Sequence, residues 1–463
     1  MAAKNLFRNL FTRPFRGRRP AAVRKQPRPL GRVIVQLEDR INPSPLFTNV
    51  LVNINVGGSN VIQQANTSRN VAVAPNGNIF VAYTGTSGVF VAESTNRGQS
   101  FLPSQQLTGF QASEVDIAVN STGNIYVAWN QGGTIELDIS NNGGASYTGP
   151  VAVGPAPSSG LHLGTQGNFI YIVGSGGGGA GGTIFSNPNF GFGPFSPTTF
   201  NSGQAFADVQ VDPASGEVFV LSDNPTVEVF HSTNHAASFT PLNLNAGTLF
   251  FSSYTASFGP GGRFGFGSGG SNSTQAYRID LNTGASTPLT FGSDNDSQGR
   301  SLAADGLGDV VDMFFNSGNI QYHVSQNLGN TFAPPVTVAA SPSGNVAINP
   351  TTQDIDVAFQ QGPNIFLSVY QNELLSNGSL TATFDGAGNL VITDVSATGK
   401  NNNLTASVSG GNLVITDAAE KFQSAPAGGS LSNNNQTLTI PFGAIPGGQV
   451  IFNTAGGNDT LNE

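Results

Sequence analysis

The sequence predicts an all-β chain: a seven-bladed β-propeller, preceded by a disordered basic tail and followed by a small β-rich module. Three observations carry that prediction. A turn motif recurs six times, starting at Ser94 (STNRGQSF), Ser140 (SNNGGASY), Ser186 (SNPNFGFG), Ser232 (STNHAASF), Asp280 (DLNTGAST) and Ser325 (SQNLGNTF). Its starts lie 46, 46, 46, 48 and 45 residues apart, and a fixed period of that length marks stacked supersecondary units. The 463 residues include 60 glycines and 33 phenylalanines with only 10% charged side chains, a composition suited to short strands joined by tight turns. Finally, one strand in each unit is apolar on both faces, as in Ile125–Trp129, Phe169–Val173, Val218–Leu221 and Ile355–Phe359, so it needs cover on both sides. Four-stranded sheets packed face to face around an axis supply that cover.

Taken in chain order, residues 1–45 form the tail. The first 40 residues hold 11 of the 18 basic side chains against Glu38 and Asp39, a net charge of +9, which leaves −18 on the remainder. That asymmetry describes a basic arm on an acidic body. The arm could touch nucleic acid or anionic lipid, but the body would repel both, so no nucleic-acid role is expected. The basic stretch is followed by no apolar run of signal-peptide length, and no segment reaches the length of a membrane span. Cysteine is absent, which excludes thiolate metal sites and cysteine nucleophiles and says little about compartment in a chain this large. The order Arg-rich, then Leu37-Glu38-Asp39-Arg40, then Pro43 resembles the amino-terminal segment of planctomycete proteins believed to be extracellular. The resemblance implies an exported or cell-surface bacterial protein.

Residues 46–375 form the propeller. Each unit opens with a strand rich in small residues (Val71–Ala74 in the first), turns at Asn76-Gly77, and continues through Asn78–Tyr83 and Gly88–Ala92 into the motif. The turn recurs at Gly77, Gly123, Gly167, Gly216, Gly262, Gly308 and Gln353, hence seven units. A fourth strand follows each motif, at Gln105–Leu107, Val151–Val153, Pro197–Phe200, Pro241–Leu244, Ser286–Thr290 and Pro335–Val338. The seventh unit lacks a motif and a fourth strand of its own. Leu46–Val56, ahead of the first unit, is expected to supply that strand and close the ring, leaving no open sheet edges. Six blades is the alternative count, and a linear array would leave long edges uncovered.

The motif consensus, Ser-x-Asp-x-Gly-x-Ser/Thr-aromatic, resembles the Asp box, or BNR repeat, of sialidases and related propellers. Here Asn96, Asn142, Asn234 and Asn327 hold the Asp position, while Gly98, Gly144 and Gly329 suit a left-handed backbone. Asn bonds nearby N–H groups through its side-chain oxygen as Asp does, so the loops are expected to be structural. The resemblance places them away from the axial site.

The sialidase family uses three arginines to clamp a carboxylate, an Asp acid/base and a Tyr–Glu nucleophile. Arg69 stands where that family has its Arg-containing strand start, and Arg300 precedes the sixth unit in the same way. Glu114 and Asp116 begin the second unit's first strand, Asp208 the fourth's and Tyr254 the fifth's. These six residues are expected to line one mouth of the central channel as ligand-binding groups. If the chain is sialidase-like, Arg69, Arg300, Asp116, Glu114 and Tyr254 are its catalytic candidates. One arginine of the clamp is missing, and lysine would not restore the bidentate contact. The four histidines, His162, His231, His235 and His323, are scattered along the chain. Gly174–Gly182 is a glycine-rich loop with no helix after it, hence no phosphate cradle.

Residues 376–463 form the last module. Gly388–Asp394 (GNLVITD) returns 23 residues later as Gly411–Asp417, which suggests a small solenoid or sandwich-like unit. No cofactor is expected other than calcium, for which Asp294 and Asp296 and, near the end, Asp459 in GGNDTL are the candidates; neither segment carries a complete oxygen shell. The sequence therefore leads to an extracellular, non-catalytic propeller that binds a glycan or peptide at its channel mouth, or to a structural envelope protein. A sialidase-like exo-glycosidase is the alternative. Oligomeric state is not encoded in any feature of the chain.

Overall fold

A computed structural model describes residues 44–62, 69–156, 159–175, 182–200, 205–224, 228–242, 244, 253–259, 262–268, 275–290, 301–306, 308–325, 328–341, 343–371, 380–394, 403–417, 420–423, 425–433, 435–453 and 460–462. The chain divides into two compact units, one holding Asn42–Asn372 and the other the described residues from Leu380 onward. The sequence-based boundaries at 46 and 375 move by a few residues, because the opening strand already begins at Ser44.

The larger unit is a β-propeller; its described residues form seven antiparallel sheets, numbered here as blades 1 to 7 in chain order. Blade 1 holds Val71–Val73, Ile79–Gly85, Gly88–Ser94 and Gln105–Thr108, with Asn60–Val61 added beside its second strand. Blade 2 holds Val115–Val119, Ile125–Gln131, Thr134–Ser140 and Val151–Pro155. Blade 3 holds Ser159–Gln166, Phe169–Ser175, Thr183–Asn187 and Ser196–Thr199. Blade 4 holds Ala205–Val211, Val218–Asn224, Glu228–Ser232 and Thr240–Leu242. Blade 5 holds Ser253–Gly259, Gly262–Ser268, Gln275–Asp280 and Ser286–Thr290. Blade 6 holds Ser301–Ala304, Val310–Asn316, Asn319–Ser325 and Val336–Ala340. Blade 7 holds Gly344–Ile348, Ile355–Gln361 and Asn364–Gln371, and takes Ser44–Leu51 as its fourth strand.

The first strand of each blade packs beside the first strand of the next, and that of blade 7 returns to that of blade 1. Ser44–Leu51 pairs with Asn364–Gln371 from Ser44↔Gln371 to Leu51↔Phe366, with two irregularities that absorb its extra residues. A strand drawn from before blade 1 thus joins the two ends of the propeller and covers an edge that would otherwise be open.

Backbone demands explain why the repeat is so visible. All seven turns between first and second strands carry a positive φ: Gly77 (87°), Gly123 (85°), Gly167 (58°), Gly216 (74°), Gly262 (124°), Gly308 (92°) and Gln353 (60°). In the motif turn, Asn96 Oδ1 accepts from Ser94 Oγ and from the Ser100 N–H, both at 3.0 Å, while Asn96 Nδ2 donates to Ser100 Oγ at 2.8 Å. Asn142 and Asn234 repeat the same three bonds. Ser94 Oγ also accepts the Gly98 N–H at 2.9 Å. In blade 3 Asn187, not Ser186, holds the serine place, because Asn187 Oδ1 accepts the Gly191 N–H at 3.0 Å. That copy therefore starts one residue later than its sequence suggested. Asn327 lies outside the described residues.

The motif turns of blades 1, 2, 3, 4 and 6 also pack against the preceding blade. A Cβ on Gly98 would lie 2.5 Å from Val369 Cγ2 and 2.9 Å from Leu367 Cδ2, both in blade 7. Gly144 faces Phe80 of blade 1 in the same way, and Gly191 faces Ile139 and Leu137 of blade 2. Blade 4 has Ala236 at this place with φ 66°, so the backbone shape alone tolerates a methyl group. Gly98→Ala should accordingly lose about 1–3 kcal/mol by overpacking, read as a lower urea midpoint with an unchanged slope; an unaltered midpoint would mean the seam between blades 1 and 7 has slack.

The smaller unit contains a three-stranded sheet, Leu380–Phe384, Leu390–Asp394 and Val450–Asn453, and a five-stranded one in the order Ser430–Ser432, Thr437–Pro441, Asn412–Asp417, Asn403–Ser409, Thr460–Asn462. Leu380, Leu390 and Ile392 from the first share one buried core with Leu404, Leu413, Ile415, Leu438 and Ile440 from the second. The two GNLVITD copies fall in different sheets, so the unit is sandwich-like and the solenoid alternative is corrected: successive coils of a solenoid would place equivalent strands side by side.

Candidate functional site

Strand polarity places the starts of all seven first strands at one mouth, opposite the motif turns. A polar residue occupies the same place there in every blade: Asn70, Asp116, His162, Asp208 and Tyr254 at intervals of 46, then Ser301 and Asn345. All seven are nearly or fully buried. Their first role is to tie blades together. Asn345 Nδ2 donates to Asn70 Oδ1 at 3.0 Å, and Asn70 Nδ2 donates to Val115 O at 3.3 Å. Asp116 Oδ1 accepts the Leu163 N–H at 3.3 Å, and Ser301 Oγ accepts the Val346 N–H at 3.2 Å.

Arg69 lies across this ring. Its own N–H donates to Asp116 Oδ2 at 2.8 Å, and its Nε stands 3.7 Å from the same oxygen. Its Nη2 lies 3.3 Å from Asp208 Oδ1 and also donates to the Leu163 carbonyl. One side chain therefore links blades 1, 2, 3 and 4. Burial pulls the guanidinium pKa down, but Asp208 and Asp116 more than offset it and the net direction is upward. The two carboxylates are almost inaccessible, with side-chain exposures of 0% and 4%. Asp208 Oδ1 also accepts its own neighbour's N–H, from Val209, at 2.6 Å, and Oδ2 accepts from Gln210 Nε2 at 3.0 Å.

Of the predicted site residues, Arg69, Asp116 and Asp208 are in direct contact, and Glu114 adjoins them. Glu114 Oε1 accepts the Gly160 N–H at 3.2 Å, Oε2 has no hydrogen-bond partner among the described residues, and burial raises the pKa. Tyr254 holds the same ring position, but its side chain is turned into a blade interface. It packs in the apolar core between blades 4 and 5 with Phe219, Leu221 and Ala256. Its hydroxyl fits over Gly265, where a Cβ would come within 2.3 Å. Burial, with the charge of Asp208, drives its pKa well upward, which suits a packed phenol and opposes a phenolate nucleophile. Arg300, Asp294, Asp296 and Asp459 lie outside the described residues.

Sequence reasoning missed His162. Its Nδ1 stands 3.4 Å from Asp116 Oδ2 and 3.8 Å from Asp208 Oδ1, between the two carboxylates. The signal was available: His162 lies 46 residues after Asp116 and 46 before Asp208, so it had to share their ring. Among the described residues no group of three His, Asp or Glu side chains could hold a metal ion; at this mouth a guanidinium already occupies the position facing both acids.

No protein-family model and no curated protein sequence matches the chain. Among solved structures, a chain of the mitotic checkpoint complex is similar over 78% of this chain and 99% of its own length, at 14% identity and a TM-score of 0.50. A fungal alcohol oxidase in complex with copper is similar over 84% of this chain and 94% of its own, at 14% identity and a TM-score of 0.50. A Hadza microbial sialidase is similar over 68% of this chain and 66% of its own, at 13% identity and a TM-score of 0.39. Together with the seven sheets, the two likenesses at a TM-score of 0.50 support a propeller-type fold. Propellers host unrelated functions, so what this one does has to be argued from its own residues.

Proposed function

We propose that the propeller is a binding module, exported or cell-surface, whose Arg69 mouth is non-catalytic and takes a neutral or cationic glycan or peptide. The observation that carries the reading is the commitment of the Arg69 guanidinium to Asp116, Asp208 and the Leu163 carbonyl. An arginine so paired offers no free charge to a substrate carboxylate. Two acids, Asp116 and Asp208, face that one guanidinium, with Glu114 beside Asp116, and their field disfavours an anionic ligand. The raised pKa of Tyr254 adds to the case against a sialidase-like nucleophile. Export rests on the amino-terminal resemblance, which lies outside the described residues.

The test is a glycan and peptide array probed with the whole protein, alongside a fluorogenic sialoside. The expected result is saturable binding to neutral or basic ligands, weakened by Glu114→Gln, with no sialoside turnover. An array without signal would leave an envelope-building role in place of binding. Turnover abolished by Arg69→Ala would instead establish the exo-glycosidase.

A further inference from the structure

On the opposite face, blade 4 carries a hydrogen-bonded relay that the channel mouth does not use. Thr240 Oγ1 lies 2.7 Å from His231 Nε2. His231 Nδ1 lies 2.5 Å from Glu217 Oε1. Glu217 Oε2 in turn accepts from Arg263 Nη2 of blade 5 at 2.5 Å, and Arg263 Nε stands 3.2 Å from Asp212 Oδ2. Strand register builds the line: His231 is paired with Phe219 on one side and Thr240 on the other, and Glu217 stands two residues before Phe219. The imidazole lies over Phe219 with ring planes 16° apart, and the Arg263 guanidinium lies 4.9 Å from the centre of the same ring.

Hydrogen-bond chemistry orders the protons along this line. With the carboxylate ionised and the ring neutral, Nδ1 donates to Glu217, Nε2 presents a lone pair, and the threonine hydroxyl donates to it. A hydroxyl, an imidazole held in that tautomer and an orienting carboxylate are the parts of an activated nucleophile, which is recognised by geometry and not by position in the chain. Thr240 is exposed, whereas Glu217 is largely buried beneath it. Its strand is the outer one of its sheet, so the Thr240 hydroxyl stands where a small substrate can approach.

We propose that Thr240 is an acyl acceptor and that this relay hydrolyses small activated carboxylic esters. Thr240 Oγ1 bonds to the ester carbonyl carbon as its proton passes to His231 Nε2. The carbon–oxygen bond to the alcohol breaks, and the alcohol leaves with that proton. Water, giving a proton to His231 in the same way, then cleaves the acyl-threonine to the free acid and restores the hydroxyl. No oxidant, reductant or metal is needed. Glu217 and Arg263 are positioning residues in this scheme, because they act through the imidazole.

The experiment uses p-nitrophenyl acetate with the full-length protein, following nitrophenolate release and, after acid quench, the acetylated peptide by mass spectrometry. The expected result is an acetyl group on Thr240 and turnover at least about a hundredfold above that of Thr240→Ala, in line with what general-base assistance contributes. Thr240→Ser should retain turnover, His231→Gln should lose it, and Glu217→Gln should lower it while shifting its pH profile. His235→Ala, which removes a ring stacked on Phe169 elsewhere, should leave it unchanged. Acetylation confined to other side chains, or Thr240→Ala within about twofold of the parent, would reduce the relay to a structural cross-strand pair.

Discussion

Replacing Arg69 with methionine should destabilise the propeller by about 3–5 kcal/mol, because the change leaves Asp116 and Asp208 buried without their cation. Methionine keeps much of the stem volume, so the loss reports the charge more than packing. Three features make the expected effect large. Both carboxylates are nearly inaccessible to water. The guanidinium reaches Asp116, Leu163 and Asp208 in three successive blades. The backbone on either side is also engaged, since the Ile117 N–H donates to the Arg69 carbonyl at 3.0 Å. Chemical denaturation measures the loss directly. A triple variant that adds Asp116→Asn and Asp208→Asn should recover part of it, because neutral amides need no counter-charge; a generally misfolded variant would recover nothing. A loss below about 1 kcal/mol would place Arg69 among weakly coupled surface ions. The arginine would then be free to meet a ligand carboxylate, and the case for a neutral or cationic ligand would fall with it.

That contrast between a free arginine and a committed one also marks where sequence reasoning stops. Turns impose local backbone demands, and local demands leave a signature: each of the seven first turns was legible by its place in the repeat, and each proves to hold a residue with positive φ, Gln353 included. The motif bonds of Asn96 span only four residues, so their pattern could be read one copy at a time. Arg69 and Asp208 are 139 residues apart and meet only once the ring has formed, so nothing near either residue announces the pair. Tyr254 shares the beat of Asp116 and His162, yet the absence of a side chain at Gly265 gives it a slot inside the blade interface. The small unit shows the same limit. A 23-residue recurrence says that two strands are alike, but pairing decides whether they are stacked coils or, as here, members of two sheets.

The closing seam gives the second large effect. In the second strands of blades 1 to 4 one position is aromatic, Phe80, Tyr126, Tyr171 and Phe219, as cross-strand register aligns them. Blade 7 has Asp356 there, fully buried, with no hydrogen-bond partner for either oxygen among the described residues. The motif residue that caps this position comes from the next blade. His235 Nδ1 meets the Tyr171 hydroxyl at 3.2 Å, and Arg97, with φ 62°, grips Asp354 through Nη2 at 2.7 Å and through Nε. Asp354 thus takes the bidentate contact. Burial raises the pKa of Asp356 well above the ordinary carboxylate range; Asp354 adds to the rise and Arg97 opposes it. The folded state therefore holds a proton that the unfolded chain releases near its usual pKa. Stability must fall as pH climbs from the ordinary aspartate range through the raised folded value, the reverse of a salt-bridged acid. Asp356→Asn should remove that slope and add about 1–3 kcal/mol at pH values above the window, the range expected for relieving an unsatisfied buried polar group. Arg97→Ala should do the opposite at the same seam, since two buried acids would then face each other without a cation. Denaturation midpoints from pH 4 to 8 for the three proteins provide the test. A parent chain whose stability rises across that range, or an Asp356→Asn variant no more stable than the parent at the upper end, would mean that the carboxylate finds a partner at the seam and that blade 7 closes on blade 1 without a buried charge to accommodate.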